Sequence, residues 1–103
     1  MSIPIRSGAV RFTIRPHLGA RQSSRPADAL DLLWARLGTR REEASFAKVG
    51  SEIRARWGED EPSAMERDER IERGRSAILE ILRDVCERSP ELELDWFAVF
   101  PAA

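Results

Sequence analysis

The sequence predicts a small α+β domain of order ββαααβ, in which an N-terminal hairpin and a C-terminal strand form a small antiparallel or mixed sheet covered by three helices. Three patterns carry that expectation. Val10, Phe12 and Ile14 alternate with Arg11, Thr13 and Arg15 between Gly8 and Pro16, the period of a strand with one buried face. Further along, apolar residues return at helical spacing, as at Leu30, Leu33, Trp34 and Leu37. Charge is also sorted by position: residues 1–25 hold five arginines and no acid, whereas residues 59–103 set six arginines against thirteen acids. The formal net charge of −1 therefore conceals a basic arm and an acidic tail. Ends of opposite sign attract each other or serve separate partners.

At 103 residues the chain fits one domain, 1–103, with room for one core. Ile3 and Ile5 predict a first strand before a Ser7-Gly8 turn, and Pro4, which has no backbone donor, places that strand at a sheet edge. Residues 16–25 show no period and read as a loop. The first helix runs from Pro26 to Leu37, capped by Ser23 or Ser24 and ended by Gly38. Thr39 and Glu42 have capping-box spacing and open a second helix, whose stripe is Phe46, Val49, Ile53 and Trp57. The tight junction at Gly38-Thr39 then has the outline of a helix-turn-helix. After the charged linker Glu59-Asp60-Glu61-Pro62, Ser63 and Glu66 repeat that spacing and start a third helix that ends near Arg88, before Ser89-Pro90. Gly74 lies inside it at a cost of about 1 kcal/mol against alanine, which points to a bend or to close packing. Leu92, Leu94, Trp96 and Ala98 alternate with Glu91, Glu93, Asp95 and Phe97 as a closing strand. Its acidic face complements the basic face of residues 9–15, so the first and last strands are expected to share a sheet.

Several function classes lack their residues. A lone cysteine allows no intrachain disulfide and fits a reducing cytoplasm. No apolar run reaches the roughly 18–20 residues of a membrane span. Arginine outnumbers lysine sixteen to one, as expected of a GC-rich, bacterial coding sequence. His17 is the only histidine, and with Cys86 it cannot make a zinc set of three or four ligands. Cys86 falls on the apolar face of the third helix and reads as core. Glu59-Asp60-Glu61 lacks the ligand spacing of a calcium loop, and neither a phosphate-cradling glycine loop nor a G-x-S-x-G elbow occurs. The chain is expected to be no enzyme and to carry no cofactor or metal.

Two binding readings follow. The first is a protein-interaction module, an accessory subunit or a small homo-oligomer, that meets its partner through Phe97, Val99 and Phe100. On a strand Trp96 and Phe97 face opposite ways, so burial of Trp96 leaves Phe97 and Val99 outside as an apolar patch. The alternative is a nucleic-acid-binding module in which Arg6, Arg11, Arg15, Arg21 and Arg25 contact phosphates. Glu93 and Asp95, set across from the strand arginines, weigh against the alternative by neutralising them inside the fold.

Overall fold

A computed structural model of the chain describes residues 8–17, 26–39, 41, 44–58 and 65–102. Strand β1 (Val10–Pro16) leads to helix α1 (Pro26–Leu37), and the hairpin of β2 (Ala44–Val49) and β3 (Glu52–Trp57) follows. Helix α2 (Arg67–Arg88), a single 3₁₀ turn (Leu94–Trp96) and β4 (Phe97–Pro101) complete the chain. The four strands form one antiparallel sheet in the order β2-β3-β1-β4. This is the connectivity of the split β-α-β, or ferredoxin-like, arrangement, and connectivity by itself assigns no function.

β1 and α1 lie where the sequence puts them. The inward residues of β1, Val10, Phe12 and Ile14, are buried. On α1 the face made by Ala29, Leu30, Leu33 and Leu37 is buried with them, and Gly38 follows at φ +75°, the left-handed conformation that closes a helix without a Cβ clash. Residues 1–7, and with them the expected first strand, lie outside the described residues.

The second helix is a hairpin instead. Phe46, Val49, Ile53 and Trp57 fit a helical stripe, but the stretch also fits two strands about a Gly50-Ser51 turn, with Phe46 inward and Val49 outward on the first. Val49 pairs with Glu52 across that turn, and Gly50 takes φ +62°. A two-residue loop with glycine first matches the right-handed twist of the strands, whereas a helix gains nothing from glycine there. Ala44, Phe46, Ile53 and Ala55 become the buried set, and Val49 is left 43% exposed. Among the described residues there are accordingly two α-helices rather than three, and no helix-turn-helix.

The other expectations need smaller corrections. Helix α2 starts at Arg67 with Glu66 as its N-cap, and Glu66 makes no side-chain capping bond. The closing strand begins only at Phe97, because Leu94–Trp96 turn as a 3₁₀ segment. Leu92 is nevertheless buried, held by Leu92 N–H donating to the Ser89 carbonyl (2.9 Å). As expected, the strand of residues 10–16 and the closing strand share a sheet, and the structure makes them neighbours, with Thr13 opposite Phe100 and Ile14 opposite Val99. Glu93 and Asp95 precede β4, however, so they do not face the arginines of β1.

Both helices lie against the inward face of the sheet. α2 buries Arg70, Gly74, Ile78, Leu82 and Val85 along one stripe, and Arg75 Nε donates to the Val99 carbonyl (3.2 Å). At α1, Asp31 pairs with Lys48 of β2, and Arg36 Nη2 pairs with Glu91 Oε1 at 2.8 Å. Gly74 sets the approach of α2. A Cβ built there would stand 2.8 Å from Val10 Cγ2 and 2.9 Å from the Phe12 ring, closer than side chains tolerate. The charged first half of α2 is thus seated on the sheet at Gly74. Alanine there would gain helix propensity of about 1 kcal/mol but overpack a filled core, which costs typically 1–3 kcal/mol. Gly74→Ala is therefore expected to leave the protein less stable in urea unfolding; an unchanged or higher midpoint would show that α2 does not press on β1 at this point.

Candidate binding face on the uncovered side of the sheet

Alternation that buries one side of each strand presents the other. Among the described residues no helix or strand covers this second side. The register arranges its side chains in three rows across the sheet. Ser45 lies beside Arg56, Arg56 opposite Arg11, and Arg11 beside Ala102, whose N–H donates to the Arg11 carbonyl (2.8 Å). The second row runs Ala47, Arg54, Thr13, Phe100. The third runs Val49, Glu52, Arg15, Ala98. A shallow groove of about 520 Å³ runs over the first two rows, lined by Arg11, Thr13, Ser45, Arg54 and Arg56 with Glu52 at its margin.

Charge on this face is uneven. In the third row Arg15 Nε donates to Glu52 Oε2 (3.1 Å), and from the second row Arg54 Nε reaches Glu52 Oε1 (3.4 Å). One carboxylate thus answers two arginines. Their side chains are 61% and 62% exposed, so these contacts are of the weak, screened kind. In the first row Arg11 and Arg56 stand directly opposite each other. No acid is assigned to the first two rows among the described residues.

Glu52 reports on the arrangement. Its carboxyl is held below its ordinary value of 4.5, first by the hydrogen bond from Arg15; partial burial opposes this, and Arg54 adds to it. A folded value below the unfolded one means that the stabilisation is present above the ordinary carboxylate range and is lost as pH falls through the lowered folded value. Arg15→Ala is expected to move the Glu52 midpoint up towards 4.5 in a carboxyl NMR titration, by more than Arg54→Ala does. A larger effect from Arg54 would contradict the assignment of Arg15 as the main partner.

The residues singled out in the sequence fall in different places. Phe97 and Val99 are buried, 6% and 2% exposed, because Ala98 and Phe100, not they, point to the open side. The patch expected of Phe97, Val99 and Phe100 reduces to Phe100, which is 50% exposed. Trp96 is only partly buried, in the 3₁₀ turn, and its indole nitrogen has no partner among the described residues. Of the five N-terminal arginines, Arg11 and Arg15 lie on the open face, whereas Arg6, Arg21 and Arg25 lie outside the described residues. Arg54 and Arg56, on the stretch read as a helix, were not candidates. The Gly50-Ser51 turn between two alternating runs is the signal that would have found them. His17 is exposed at the end of β1, and its N–H donates to the Trp96 carbonyl (2.6 Å). Cys86 is half-buried on α2, and burial pushes its thiol pKa up. Neither residue lines the groove. Among the described residues no helix is long and apolar enough to cross a membrane.

Comparison with protein families, with curated proteins and with solved structures finds no match to this chain.

Proposed function

We propose that this chain is a non-catalytic binding module that receives an anionic partner on the uncovered face of its sheet. The observation that supports the reading most is the gathering of Arg11, Arg15 and Arg54 on the open face, where one carboxylate, Glu52, answers two of them. An anion lying across exposed guanidinium groups accepts forked hydrogen bonds from them. The apolar patch that favoured a hydrophobic partner has shrunk to Phe100, so the charged rows carry the reading.

A net charge of −1 makes the test discriminating, since retention on a polyanion then requires a local patch rather than a basic protein. Wild-type protein is expected to bind heparin-agarose at about 20 mM salt, where screening is slight. The Arg11→Glu/Arg54→Glu variant, shown by circular dichroism to be folded, is expected to pass through. Equal elution of the two proteins, or no retention of the wild type, would remove the open face as the binding surface.

A second reading rests on the outer edge of β2. That strand ends the sheet, and its residues 47–49 are exposed, including Val49. Its Ala44 carbonyl and Phe46 N–H are already bonded to the N–H of Arg41 and the carbonyl of Thr39 (2.8 Å each), so the stretch from Ala47 to Val49 is the part left to another strand, which would make a homo-oligomer. A clean monomer by light scattering at high protein concentration would exclude it.

A further inference from the structure

A sheet grows only at edges that can still hydrogen-bond, and the two edges of this one differ. We infer that a second copy of the chain joins at β2, antiparallel about a two-fold axis at Lys48, and that Arg75 and Pro101 close the β4 edge so that assembly stops at two copies. The inference rests on the second reading above and gives it a register and a limit.

The bonds around each edge show which backbone groups face outward. On β4, Ala102 N–H donates to the Arg11 carbonyl (2.8 Å) and His17 N–H to the Trp96 carbonyl (2.6 Å), so Ala98, Phe100 and Ala102 turn towards β1. Alternation then turns the backbone groups of Phe97, Val99 and Pro101 away from the sheet. An incoming strand would need those groups. Phe97 N–H already donates to the Leu94 carbonyl, Arg75 Nε of α2 donates to the Val99 carbonyl (3.2 Å), and Pro101 has no N–H. Proline and a charged side chain on an edge are means by which sheets resist further pairing.

β2 is closed over only part of its length. Val49 pairs with Glu52 across the two-residue turn, so Ser45, Ala47 and Val49 bond to β3, while Ala44, Phe46 and Lys48 turn outward. The bonds of the Ala44 carbonyl to Arg41 and of Phe46 N–H to Thr39 agree with that alternation. The Phe46 carbonyl and both backbone groups of Lys48 are what the edge still offers. With Lys48 of one copy opposite Lys48 of the other, each N–H donates to the other carbonyl. Ala47 of each copy then lies beside Val49 of the other, which covers a side chain left 43% exposed in one copy. The lysine side chains meet on the covered side of the sheet, where each is paired with Asp31 of α1, so they meet as two ion pairs rather than as bare like charges. The open stretch thus matches itself in hydrogen bonds, apolar contact and charge, and this self-complementarity selects a second copy over an unrelated extended segment. The two sheets continue as one, with both open faces on the same side.

Light scattering after size exclusion, over a range of protein concentrations, tests the inference. The wild type is expected to rise with concentration from one chain mass to two and no further. Lys48→Pro removes an N–H that points away from its own sheet, a position where an edge strand tolerates proline, and is expected to stay at one chain mass. Val49→Asp, a surface change, is expected to weaken the dimer in the same direction. Lys48→Ala keeps the N–H and loses only an exposed ion pair, so it is expected to dimerise still. Arg75→Ala/Pro101→Val, shown by circular dichroism to be folded, frees the Val99 carbonyl and supplies an N–H at 101, and is expected to pass two chain masses. Arg75→Ala alone, which alters an exposed side chain, is expected to move the same way.

The outcomes separate the inference from the reading beneath it. A wild type at one chain mass throughout overturns both, as does association that survives Lys48→Pro and Val49→Asp alike. Association lost in Lys48→Pro, in a wild type whose mass climbs past two, leaves the β2 edge as the contact and overturns the closure. Masses that stop at two in both Arg75 variants also overturn the closure. Loss of the dimer in Lys48→Ala would place the contact in the ion pair and overturn the register.

Discussion

Strand β1 is hydrogen-bonded on both sides and alternates without a break, so each of its residues belongs to one of two unlike surfaces. Val10, Phe12 and Ile14 form the floor on which α1 and α2 rest. Arg11, Thr13 and Arg15 stand on the other side, beside Arg54 and Arg56 of β3. A slip of one residue would exchange the two sets, burying arginines under the helices and exposing two of the largest core side chains. The close seat of α2 at Gly74 adds to this constraint, because only the present register puts Val10 and Phe12 beneath a residue without a side chain.

The same alternation explains how basic and acidic parts of the chain are kept apart. The acids of α2, such as Asp68 and Glu72, are exposed on a helix that lies on the covered side of the sheet. They therefore do not cancel the arginines of the open face. Glu52 is the one carboxylate assigned to that face among the described residues, and it sits in the third row with Arg15. A chain whose net charge is close to zero can thus present a basic surface, since the sheet separates what the composition mixes.

β1 and α1 were legible in the sequence because local signals there agree: an unbroken period of two, then a leucine stripe ended by glycine. Residues 39–57 were not, because Phe46, Val49, Ile53 and Trp57 fall at helical spacing, although on β2 Phe46 points inward and Val49 outward. The Gly50-Ser51 turn is the local signal for the hairpin, and the pairing of β3 with β1, which no local window contains, reinforces it. The same ambiguity hid Arg54 and Arg56. At the C-terminal end, alternation from Leu92 to Ala98 was read as one strand, but Leu92 and Leu94 meet the core through a turn and β4 starts at Phe97. That shift turned Phe97 and Val99 inward and left Phe100 on the open side. Gly74 was legible as an anomaly, a glycine within a strong helical pattern, and its cause is the approach of β1.

The central claim is that alternation on β1 and β3 makes one face of the sheet the binding surface, and NMR shift mapping during addition of a heparin oligosaccharide tests it most directly. The account predicts that the amides of residues 11, 13, 15 and 54 move together and saturably, while those of α1 and the exposed side of α2 stay in place. Shifts concentrated on the helices, or no shifts on β1 and β3 at saturating ligand, would contradict it.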